Sequence, residues 1–126
     1  MTAPRFESVK PAAGPRVQGF SGRNFVVDGK AWSSLLLTPE AALAWAAPAL
    51  ADLSPGHVEP VLALDPAPEF LLLGTGSFMA FPPRAFTAAL EACGIGVEAM
   101  DSRAAARTWG LLRGEGRRIA AALMPL

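Results

Sequence analysis

The apolar residues of this 126-residue chain gather into short blocks. The densest is Phe70-Leu71-Leu72-Leu73, followed at once by Gly74-Thr75-Gly76. Four bulky apolar residues in a row suit a strand covered on both faces. Glycines at its carboxyl end let the backbone turn sharply and expose amide N–H groups. Upstream, Phe25-Val26-Val27 meets Asp28-Gly29, the signature of a type I′ hairpin, and Ala31 to Thr38 supplies the return strand. Val17 to Phe20 is short and extended. Residues 1–15, with Pro4, Pro11, Gly14 and Pro15, hold no sustained period and read as a flexible lead-in to a single domain over residues 16–126.

Two patterns compete between Thr38 and Pro48. Thr38 could cap a helix with Pro39 at its first position, and propensity favours this. The alternation of Leu43 and Trp45 after a hairpin favours a strand, which is the expectation adopted. Ser54-Pro55 opens a short or irregular helix, since Pro60 falls inside it. Beyond Gly76, Pro82-Pro83 leads into a helix from about Pro83 to Cys93, with Phe86, Ala89, Leu90 and Cys93 on its apolar face and Gly94 as its stop. Ile95 to Met100 is a strand. Asp101 or Ser102 caps a helix reaching Leu112 or Arg113, and Arg118 to Met124 is the last strand. Strand, helix, strand, helix, strand with short connections predicts parallel crossovers. The fold class is α/β: a βαβαβ C-terminal half with an N-terminal antiparallel β-hairpin.

Composition narrows the function classes. Hydrophobic residues make up 52% of the chain, much of it alanine, and mean hydropathy is +0.33. No apolar run approaches the roughly 20 residues of a bilayer span, so an integral membrane protein is not expected. The first residues carry no apolar signal region. Eleven basic and eleven acidic residues cancel, which argues against a nucleic-acid partner. One cysteine fits a reducing compartment, and a cytoplasmic protein is expected.

Ligands of open α/β sheets favour the crevice at the carboxyl ends of parallel strands. That edge collects Gly74, Thr75 and Gly76, then Glu98 and Met100, then Arg107 and Thr108 on the following helix. Glycine amides and a guanidinium there could hold a phosphate or carboxylate. The plainer arrangement has the glycines permit a turn while Arg107 pairs with Glu98 or Asp101. A dinucleotide fingerprint fails: Met79 replaces its third glycine and Pro82-Pro83 delays the helix. No Walker lysine is present.

Other chemistry is sparse. His57 and Cys93, one of each in the chain, cannot build a zinc site without several carboxylates, and no metal or cofactor is expected. His57 reads as exposed or capping, and Cys93 as an inert core thiol. Ser77 lacks a base, and Glu98 with Glu115 reads as solvated surface charge. Arg113 to Arg118 reads as a solvated glycine-rich turn. The loop residues Phe78, Met79 and Phe81, where exposed, would make an apolar patch suited to protein contact.

Four motifs then point to a family. Leu72-Leu73-Gly74-Thr75-Gly76, Gly94-Ile95-Gly96-Val97-Glu98-Ala99-Met100-Asp101, Ala105-Ala106-Arg107-Thr108-Trp109 and Glu115-Gly116-Arg117-Arg118-Ile119 through Leu123 together resemble the domain of unknown function 498 family. That family includes the mitochondrial respiratory complex I assembly factor 3, and the likeness covers about residues 17–126. It implies a three-layer α/β domain with a mixed central sheet, added N-terminal β structure, and an extended stretch over residues 42–46. It has no established reaction, so it implies an assembly or binding role. A bacterial member need not share the mitochondrial task. The family often places Asn after the aromatic residue that follows Arg-Thr; here Gly110 follows Trp109.

Two functions follow as expectations. The first is a non-enzymatic interaction or assembly-factor-like domain with an unidentified protein partner. The second is a small-anion or small-molecule domain, an enzyme or not, using the crevice at Gly74–Gly76, Glu98 and Arg107. A homodimer fits either, although no heptad seam specifies one.

Overall fold

The computed structural model describes residues 14–126. The expected lead-in lies outside the described residues but for its last two, and of these Pro15 is buried. Its carbonyl accepts a 3.2 Å hydrogen bond from the indole of Trp109, so the folded body already includes it.

Two sheets form. The first is an antiparallel meander of β1 (Val17–Ser21), β2 (Asn24–Val27) and β3 (Lys30–Trp32). Asp28 and Gly29 both take positive φ, 49° and 80°, as the hairpin turn requires. The second sheet has five strands in the order β5-β4-β8-β6-β7. Its members are β4 (Leu35–Leu37), β5 (Ala42–Ala44), β6 (Phe70–Gly74), β7 (Gly96–Met100) and β8 (Ala120–Leu123). β7 and β8 run parallel to β6 on its two sides, while β4 pairs antiparallel with β8 and β5. The sheet is therefore mixed, and residues 42–44 are extended rather than helical.

One expectation about the strands changes. The single return strand over 31–38 breaks at Ser33-Ser34: Lys30–Trp32 stays in the hairpin sheet, and Leu35–Leu37 crosses into the main one. All three leucines of β4 are buried, so it pairs where both faces are covered. The alanine-rich β8 takes the middle of the main sheet, and β6 lies between it and β7.

The helices are α1 (Glu59–Leu62), entered through a 3₁₀ turn at Pro55–Val58, then α2 (Arg84–Ala92) and α3 (Ser102–Gly114). They make outer layers on both faces. Alternation along β6 sends Leu71 and Leu73 toward Phe86 and Leu90 of α2 with Val58, Val61 and Trp45. Leu72 faces the other way, toward Ala105, Ala106 and Trp109 of α3 and toward Phe25 and Val27 of β2. The unbroken apolar run of β6 is thus the record of two cores sharing one strand.

Helix ends follow local rules. The Asp101 carboxylate accepts from Ala104 N–H at 2.9 Å, capping α3. α2 ends with Gly94 at φ +81° and the Ile95 N–H donating to the Leu90 carbonyl at 3.0 Å. That closure corrects the expectation for Cys93. The helix stops at Ala92, Cys93 leaves the helical path, and it is exposed while Ile95 fills the core instead.

Candidate functional site

Gly74 ends β6 and lies against the first residue of α3. A Cβ on Gly74 would come within 2.8 Å of Ser102 Oγ and 2.9 Å of Ser102 Cα, so glycine is needed for the close approach. Gly76, at φ +106°, turns the chain where an L side chain would be strained. The Gly76 N–H donates to Ser102 Oγ at 2.8 Å, and that hydroxyl donates to the Met124 carbonyl at 2.8 Å. Ser102 N–H returns a bond to the Gly76 carbonyl at 2.8 Å, and Thr75 N–H donates to the Met100 carbonyl at 2.9 Å. The amides that the sequence offered to an anion are engaged by the protein itself.

Thr75 shapes the next loop. Its hydroxyl lies 2.6 Å from the Phe78 carbonyl and 3.2 Å from the Met100 carbonyl, with one proton to donate, and accepts from Ala80 N–H at 3.1 Å. These bonds curl residues 75–80, and the loop's large apolar side chains are left exposed. Phe78 is 81% exposed, Met79 47% and Phe81 83%.

The remaining crevice residues separate. Met100 pairs with Gly74 across the sheet, and Thr108 Oγ1 donates to Met100 Sδ at 3.6 Å, so these stay at the strand end. Glu98 lies opposite Leu72 on β7, an edge strand, and is exposed. Arg107 instead lines a different crevice of about 210 Å³, between Gln18, Gly19 and Phe20 of β1 and Ala106 and Gly110 of α3. Gly110 lines it with backbone alone, and a side chain there would meet open space. Among the described residues no ion pair joins Arg107 to Glu98 or Asp101. Ion pairs do join Arg117 to Glu69 at 2.7 Å and Arg118 to Glu40 at 3.0 Å. The hydrogen bond from Arg117 holds the Glu69 carboxyl below its ordinary pKa, well away from the strand end.

His57 is a cap. Its Nδ1 accepts from Ser54 N–H at 3.0 Å and lies 3.1 Å from Ser54 Oγ. Among the described residues no group of three His, Cys, Asp or Glu side chains is placed to hold a metal ion. No helix among them is long and apolar enough to cross a membrane.

One feature escaped the residue reading. Beside the exposed loop runs a groove of about 550 Å³, walled by Phe81 and Pro82 and floored by Arg84, Thr87, Ala88 and Glu91 of α2. The floor residues stand at i, i+3, i+4 and i+7, one stripe of the helix opposite Phe86 and Leu90. The spacing was there to see, but a stripe with two charges and two small residues reads as ordinary solvated surface.

Comparison with known proteins places the chain among relatives. The sequence profile of a protein of unknown function, DUF498/DUF598, matches residues 17–124. An uncharacterised protein of Rhodobacter capsulatus is 37% identical over 92 residues, covering 73% of this chain and 68% of its own. The zebrafish (Danio rerio) NADH dehydrogenase [ubiquinone] 1 alpha subcomplex assembly factor 3 is 31% identical over 115 residues, 90% of this chain. The chain spans 66% of that relative's length. A crystal structure of a Bordetella parapertussis protein, 33% identical, superposes with a TM-score of 0.82 and covers 93% of this chain and 100% of its own.

Proposed function

The chain belongs to the DUF498/DUF598 family of proteins of unknown function, and from that premise we propose that it is a non-enzymatic protein-docking domain, assembly-factor-like in its mode of action. The contact surface is the loop of Phe78, Met79 and Phe81. One observation carries this reading: two phenylalanines more than four-fifths exposed, three residues apart in a loop whose start Thr75 holds in shape. Burying one such ring is worth about 1.5–3 kcal/mol, which is available only on contact with another surface. A loop already curled also spares a partner part of the ordering cost. The name of the zebrafish relative, an assembly factor, supports the same direction.

The anion-site alternative is weaker on geometry. Gly76 N–H and Thr75 N–H are already bonded, and Arg107 lines another crevice. The docking reading needs no reacting group, since contact area performs the task.

The test is a Phe78→Ser, Phe81→Ser double variant of the full chain, with circular dichroism to check folding. Both side chains are exposed, so thermal stability stays within about 0.5 kcal/mol of the parent. Loss of a specific co-purifying protein or of self-association is the expected result. Retention of every interaction of the parent would sink the proposal.

A further inference from the structure

We infer that the occupant of this surface is a second copy of the same chain, with the two α2 helices packed antiparallel about a two-fold axis. The inference rests on the reading of the Phe78–Phe81 loop as a protein contact.

The argument is one of charge and symmetry. Arg84, Thr87, Ala88 and Glu91 floor the groove on one face of α2. Arg84 and Glu91 lie equally far from the midpoint between Thr87 and Ala88, about 10 Å apart along the helix. In a two-fold interface, the same patch meets itself, so residue i contacts j and j contacts i. A two-fold axis through that midpoint therefore sets each Arg84 against the second copy's Glu91, twice over. Thr87 then faces the second copy's Ala88. Both are small, so the helices can approach to the ordinary interaxial distance of about 8–10 Å.

The exposed loop supplies part of the contact area. Phe81 and Pro82 wall the same groove, and Phe78 precedes them in the exposed loop. Phe78 and Phe81 alone offer roughly 300 Å² per copy, against the about 800 Å² per partner of a stable interface. The helix stripe, Met79 and Pro82 extend the patch. An unrelated helix would need an acid opposite Arg84 and a base opposite Glu91 at the same spacing. This chain already carries both.

Sedimentation velocity of the full chain across a concentration series tests this. The parent is expected to associate as a dimer. Arg84→Glu makes both facing pairs acidic and Glu91→Arg makes both basic, so each is expected to weaken the dimer by about tenfold or more. Mixing the two variants recreates both opposite-charge pairs and is expected to yield a heterodimer, which also shows that each variant is folded. The double variant Arg84→Glu, Glu91→Arg is expected to recover the homodimer. A parent that stays monomeric at all concentrations, or a dimer indifferent to both reversals, overturns the inference. If the parent is monomeric while the Phe78→Ser, Phe81→Ser variant loses a different protein, the second copy is refuted and the docking loop stands. A dimer that obeys the charge rule but ignores the phenylalanine changes supports the helix pairing and refutes the loop.

Discussion

Gly74 and Ser102 touch so closely that no side chain fits between them. A Cβ at position 74 would lie 2.8 Å from the Ser102 hydroxyl and 2.9 Å from its Cα, with Leu123 Cδ2 at 3.1 Å. The obstacle is helix backbone as well as side chain, so it cannot swing away. Gly74→Ala is expected to destabilise the fold by about 1–3 kcal/mol through overpacking. Urea unfolding with an unchanged m-value is the check, and an unaltered midpoint would refute the contact.

Ser102 is also a buried bridge between three segment ends. Its hydroxyl accepts a hydrogen bond from Gly76 N–H and donates one to the Met124 carbonyl, each at 2.8 Å. Ser102→Ala leaves both backbone groups unpaired out of water, and is expected to cost about 1–3 kcal/mol. Hydrogen exchange at the Gly76 amide is expected to speed up more than at Leu72, which the ladder protects.

The Glu69–Arg117 pair has a defined pH response. The Arg117 hydrogen bond lowers the carboxyl pKa in the folded chain, with burial opposing and the guanidinium charge assisting. A depressed folded pKa means that the contribution is present above the unfolded value, about 4.3, and is lost as pH falls through the folded value. The stability gap between the parent and Glu69→Gln is therefore expected to be open at neutral pH and to close in acid. Both side chains are well exposed, so added salt is expected to narrow it at any pH. A gap that widens on acidification would contradict the pairing.

Cys93 provides a check on how α2 ends. It is exposed where the helix stops. A thiol reagent is expected to modify it fully in the native protein, without denaturant. Cys93→Ser is expected to change stability by no more than about 0.5 kcal/mol. Slow labelling limited by unfolding would return Cys93 to the core.

Some of this architecture is written locally. The apolar run before Gly74 announces a strand covered on both faces, because the consecutive Leu71, Leu72 and Leu73 must all avoid water. Asp28-Gly29 announces a turn, because only such residues accept the positive φ it needs. Pro83, Gly94 and Asp101 mark helix ends by rules that act within four residues. The exposed phenylalanines were also legible as a loop, since a rigid Pro82-Pro83 separates them from the helix that follows.

What the tertiary structure decided involves residues far apart in sequence. Ser102 reaches Gly76 across 26 positions and Met124 across 22, and occupies the Gly76 amide that the residue pattern offers to an anion. Arg107 lies over β1 because the three-stranded sheet packs on the α3 side, a choice made by Phe25, Val27 and Trp109 in one core. The chain breaks at Ser33-Ser34 because Leu35–Leu37 gain cover on both faces only beside β8. Propensity and periodicity describe a segment and its neighbours. Which backbone donors are already spent, and which charges face each other, is settled only when distant segments compete for the same partners.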